Sequence, residues 1–234
     1  RRVVFDGRDP DDPPPTEGDA VFVDGVLPVP GTSTVIVSTC CEPIASSMIR
    51  IDTATGAQDV LGFGHQPAIL PDGTSMVWNS AETVQVGDTT GSAAAQLGPF
   101  DATTGTIADL AVVDRVAGQP EVLVLVVGPD GTFLWRVYPG GGDRLLSTKV
   151  SDVTWTDGER VSLAGWSTDS FVVLDGTAGL DEYDAETLAP LPDRHQDVAW
   201  SSAWLTPAQR RVVTDDRRLL VDDVPLPGEY VWVR

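Results

Sequence analysis

The sequence predicts an all-β fold of repeated four-stranded antiparallel sheets, a β-propeller, on three observations. Segments that begin alike recur at Val23, Gln66, Asp109, Asp152 and Asp197, at intervals of 43, 43, 43 and 45 residues. A fixed period of about 40 to 50 residues is the sequence signature of propeller blades. Each period holds short runs rich in Val, Leu, Thr and Trp, bounded by Gly, Pro, Asp or Thr, as short strands joined by tight turns require. Helix signals are nearly absent; only Thr206-Pro-Ala-Gln209 reads as a capped single turn.

Residues 1–22 hold a strand-like run, Val3 to Phe5, and a Pro-rich acidic loop from Asp9 to Asp19, read as an extended tether. The first blade begins near Val23. In the second, strands are predicted at Gln66 to Leu70, Thr74 to Trp78, Thr83 to Val86 and Ala93 to Leu97. The third has Ile107 to Val113, Glu121 to Val127, Thr132 to Val137 and Arg144 to Leu146, with Pro129-Asp-Gly131 as its central hairpin. The fourth has Asp152 to Thr156, Arg160 to Trp166, Phe171 to Leu174 and Leu180 to Tyr183. The last period, from Asp197, is short, so Val3 to Phe5 and Tyr230 to Val233 are the expected closing strands; closure removes exposed sheet edges. The expectation is one domain over residues 1–234, with five blades starting near 23, 66, 109, 152 and 197, because the 22 residues before the first blade are too few for a sixth. The seven Trp residues fall mostly on strands and read as packing between blades.

With 35 acidic against 15 basic residues the formal charge is −20, which disfavours nucleic acid and anionic membranes as partners. The longest aliphatic run, Val122 to Val127, is far short of the roughly 20 residues of a membrane-spanning helix. The chain starts at Arg1 with neither Met nor a signal-like segment, so a processed form or an excised portion is expected, with any membrane anchor outside it. There is no Gly-x-Ser-x-Gly elbow, no His-Glu-x-x-His and no phosphate-binding Gly loop.

Gln66-Pro-Ala-Ile-Leu-Pro-Asp-Gly73 followed by Val86-Gly-Asp-Thr-Thr-Gly91 resembles the blade motif of the TolB-like family of exported bacterial propellers, and Arg50-Ile-Asp-Thr-Ala-Thr-Gly56 repeats its second half. The match covers roughly residues 30 to 91, with Leu70 where the family often has Ser. The resemblance implies a WD40-like propeller, export from the cytoplasm, and a binding or scaffolding habit. It carries no catalytic residues.

Candidate site residues lie where the first strand of a blade, the one lining the channel, begins. Asp109, Asp152 and Asp197 repeat there and form either an acidic rim, for a cation, a basic ligand or glycoside hydrolysis, or turn caps bonded to backbone amides. His65 and Gln66 stand at the second blade's start, where five-bladed glycosidases carry their base as Asp-Pro; here the pair is Gln66-Pro67, and a carboxamide cannot act as a general base. His195 precedes the last period. Cys40 and Cys41 are the only cysteines, and three states stay open: a strained vicinal disulfide, two free thiols, or an intermolecular or redox role. Two adjacent thiols without partners do not make a zinc site. The leading expectation is a non-enzymatic extracytoplasmic propeller that needs no cofactor and binds a protein, peptide or envelope component through one face. The alternatives are a small carbohydrate-active enzyme or a calcium-binding propeller using the acidic rim.

Overall fold

The computed structural model describes residues 22–40, 47–80, 83–98, 100, 105–113, 120–139, 146–154, 157, 161–166, 170–175, 179–195, 200–206, 209–214, 219–221 and 224–225. They fall in two compact units, residues 1–99 and 100–234.

The first unit holds two antiparallel meanders: β1 (Phe22–Pro28), β2 (Thr34–Cys40), β3 (Ser47–Asp52) and β4 (Gln58–Phe63), then β5 (His65–Ile69), β6 (Ser75–Ser80), β7 (Thr83–Asp88) and β8 (Ala93–Leu97). The sequence order is the spatial order, because hairpin turns place each strand beside its predecessor. Strands in the middle of a sheet are buried on both faces, so β6 reads Met76-Val-Trp-Asn79 without polar alternation. The last strands, β4 and β8, are largely exposed. Val29, Ile36, Met48, Met76 and Trp78 form one core between the two meanders, with Leu27, Leu61 and Ile69 packed against it.

The second unit has β9 (Thr106–Val113), β10 (Glu121–Gly128), β11 (Gly131–Val137) and β12 (Leu146–Ser151) as a third meander. Next come β13 (Val161–Trp166), β14 (Ser170–Asp175) and β15 (Gly179–Asp184), then a 3-10 turn at Pro192–Arg194, then β16 (Trp200–Thr206), β17 (Gln209–Thr214), β18 (Leu219–Val221) and β19 (Val224–Pro225). β13 meets β16 by a single parallel pairing, Gly165 with Leu205, which joins the last two meanders into one seven-stranded sheet. Leu123, Leu125, Leu134, Phe171, Val173, Tyr183 and Leu188 are the centre of a core shared by the third and fourth meanders. The hairpin at Pro129-Asp130 is as predicted, with Gly131 at φ 120°.

Two strand expectations and one helical one are corrected. Asp152 to Thr154 is a bend and loop: Val153 is buried without belonging to a strand, its carbonyl accepting Thr132 Oγ1 at 2.8 Å and its amide donating to Ser151 Oγ at 3.0 Å. The strand predicted at Arg144 to Leu146 runs instead from Leu146 to Ser151. Thr206 and Gln209 are cross-strand partners in the β16–β17 hairpin, so they do not form a helical turn.

A repeated turn explains the first correction. Asp52 Oδ1 accepts the amide of Ala54 at 2.8 Å, Asp88 Oδ1 that of Thr90 at 2.8 Å, and Asp184 Oδ1 that of Thr187 at 2.8 Å. The first two turns lead from the third strand of a meander to the fourth, so Asp184 marks β15 as a third strand. The fourth strand there is reduced to one bridge, Tyr183 with Pro190. β13 is therefore the first strand of its meander, and the repeat is displaced from Asp152 by the connection after β12. Leu188 takes φ 58° where the first turn has Gly56 at φ 83°, and it stays because its side chain is buried in the core.

Expected closing strands Val3 to Phe5 and Tyr230 to Val233 lie outside the described residues.

Candidate functional site

Every meander carries an irregularity in its first strand. The register shifts between Val23 and Gly25, His65 and Ala68, Leu163 and Gly165, and Trp200 and Ser202, and in β9 opposite Leu125 and Val126. A bulge twists a strand and re-aims the side chains beside it. His65, Gln66 and Asp109 sit at or next to these bulges, whereas Asp152 lies in the loop after β12.

Asp109 follows the β9 bulge and is half-buried. Its Oδ1 accepts the amide of Leu110 at 2.9 Å and its Oδ2 accepts the amide of Leu163, beside the β13 bulge, also at 2.9 Å. The carboxylate thereby ties the first strands of two meanders together. Asp152 is 97% exposed and pairs with Lys149 at 2.6 Å, so it does not join Asp109 in a site. Asp197 and Cys41, with the side chain of Cys40, lie outside the described residues, as does the expected disulfide. Asp109→Asn keeps one acceptor but turns an NH2 group toward a backbone amide; it is expected to cost roughly 1–3 kcal/mol in urea unfolding, whether or not any ligand is present.

His65 and Gln66 are brought together with Asn79, which sequence reasoning did not select. His65 pairs with Asn79 across β5 and β6, and the fully buried Asn79 donates from Nδ2 to Gln66 Oε1 at 3.3 Å. Gln66 has φ 52°, a conformation that costs free energy outside glycine. Gly64 stands before it because a Cβ there would come within 2.5 Å of Trp78 Cδ1. A sequence signal existed: Asn79 is the only Asn of the chain and lies in a strand. His195 is held by Asp181 at 2.7 Å, beside the pair of Arg194 with the buried Glu182 at 3.2 Å.

The acids at turns titrate low because amides and hydroxyls bond the charged form. Thr90's hydroxyl and amide lower the pKa of Asp88, the Ala54 amide and Ser33 hydroxyl that of Asp52, Ser75 and Thr74 that of Asp72, and Thr154 that of Asp157. A folded-state pKa below the unfolded value adds stability that is complete above the unfolded value, about 4, and is lost as pH falls through the lowered one. Acidification also relieves the repulsion of the −20 charge, an opposing effect. The expected result is therefore differential: Asp72→Ala loses stability at pH 7, and its deficit against the parent shrinks below about pH 4 in chemical unfolding curves.

No family model matches the chain, and no curated protein matches it. Solved structures do. The calcium-binding protein regucalcin from Agrobacterium tumefaciens aligns with TM-score 0.60 and 12% identity, over 89% of this chain and 74% of that one. BamB from Moraxella catarrhalis aligns with TM-score 0.54 and 13% identity, over 92% and 76%. Sqt1 from Saccharomyces cerevisiae aligns with TM-score 0.63 and 11% identity, over 88% of this chain and 59% of that chain. These are β-propeller proteins, and with antiparallel meanders in both units the chain has the β-propeller fold. The TolB-like resemblance rests on its motifs alone.

Proposed function

We propose that this chain is a non-enzymatic, extracytoplasmic propeller that binds a protein, peptide or cell-envelope component at the end of its sheets where His65, Gln66 and Asn79 meet. The observation that carries this reading is the employment of the rim acids. Asp109 is bonded to two backbone amides and Asp152 to Lys149, so these two serve the fold. A glycosidase needs a facing pair of carboxyls with about 5 to 9.5 Å between them, and a calcium site needs several oxygens free to converge. The half-buried Gln66 carries donors and acceptors without charge, which suits hydrogen bonding to peptide or sugar groups, and the fully buried Asn79 holds its carboxamide in place from beneath. The TolB-like motifs supply the expectation of export.

A photo-crosslinking residue at Thr83, at the His65 end, is compared with one at Thr90, at the opposite turn, in cells that make the protein. Discrete adducts from Thr83 and none from Thr90 are expected, together with labelling by a non-permeant reagent. Equal adducts from both sites, a cytoplasmic location, or glycoside turnover lost in Asp152→Asn would each overturn the reading.

A further inference from the structure

Arg136 is the group that the fold and the proposed binding end leave unexplained. It lies on β11 and is 4% exposed in a chain of formal charge −20. Its Nη1 donates to the backbone carbonyl of Ala185, in the turn that follows β15. Its Nε is buried without a partner, and among the described residues no carboxylate pairs with it. The buried Glu121, on the next strand, accepts the Tyr138 hydroxyl at 3.3 Å.

A buried guanidinium with an idle donor is costly, because charge taken out of water must recover its hydration through paired and hydrogen-bonded groups. The one carbonyl engages an end of the fork. What remains includes the edge of Nε and Nη2, two parallel N–H groups whose spacing matches a carboxylate. The cross-strand neighbour of Arg136 is Leu146, 38% exposed at the start of β12, so an exposed side chain stands directly across the strand pair from the buried guanidinium. We infer that Arg136 is the anchor of a carboxylate-binding site at the junction of the third and fourth meanders. The net negative charge repels anions in general, so an anion held here is held by local geometry.

The test is thermal unfolding of the whole chain in sodium acetate against sodium chloride at constant ionic strength, with Arg136→Met and Arg136→Lys as variants. The parent should show a saturable acetate-specific rise, about 3 to 5 °C at ten times the dissociation constant. Arg136→Met removes the charge at similar volume and should be as stable as the parent in chloride, with no acetate shift. Arg136→Lys keeps the charge but not the fork and should lose most of the shift, which tests the site even if the Met variant fails to fold. A blocked Glu-containing peptide forms a second arm. Tighter Arg136-dependent binding of the peptide assigns a polypeptide carboxylate, and a shift from acetate alone assigns a free acid. The inference is overturned by an equal acetate response in parent and variants, by no response in the parent, or by an Arg136-dependent response to phosphate and not to acetate.

Discussion

Trp78→Ala is expected to lower the unfolding free energy by about 3–5 kcal/mol, one of the two largest effects of any single substitution foreseen for this chain. The indole is 4% exposed in the core between the first two meanders. It fits between two glycines: a Cβ on Gly64 would lie 2.5 Å from Cδ1, and one on Gly87 would lie 2.9 Å from Cη2 and also meet the Ser92 carbonyl. Removing the ring leaves a cavity among Ile36, Met48 and Met76, whose side chains sit on paired strands and close it only in part. Crowding it from either side should also destabilise, so Gly64→Ala and Gly87→Ala are expected to cost about 1–3 kcal/mol each. Chemical unfolding followed by far-ultraviolet circular dichroism gives all three values. A Trp78→Ala cost under about 1 kcal/mol would mean that the indole does not fill this core.

Phe171→Ala is expected to have a similar cost, about 3–5 kcal/mol, in the core of the third and fourth meanders. Phe171 is fully buried there, packed with Leu123, Leu125, Leu134 and Tyr183. Together the two substitutions test whether residues 1–234 are the single closed domain that the repeat predicts. A closed domain unfolds in one transition, and Trp78→Ala and Phe171→Ala should each shift that same transition. Two transitions, each moved by only one substitution, would show that the units 1–99 and 100–234 unfold separately.

Strand composition made most of the fold legible. Hairpin-connected strands follow from local alternation and turn residues, and β5 to β11 lie within one or two residues of their predicted bounds. Reading failed at Asp152, where Asp-Val-Thr-Trp repeats the start of a blade at the right spacing but Asp152 to Thr154 form a bend and loop. A period measures distance along the chain and cannot tell a long connection from a strand. The Asp184 turn, matching Asp52 and Asp88, holds the correct register, and its Leu188 in place of glycine hid it.

The sequence by itself determined the all-β class, the meander order, the acidic surface and the turns capped by Asp, because each depends on residues near one another in the chain. Only the tertiary structure decided what the polar side chains do. Asp109 reaches a backbone amide 54 residues away, Asn79 reaches Gln66 across a bulged pair of strands, and Arg136 is buried against Ala185. Each of these roles depends on which strand lies opposite and how far a bulge turns it. That is fixed by packing between sheets, and no local pattern records it.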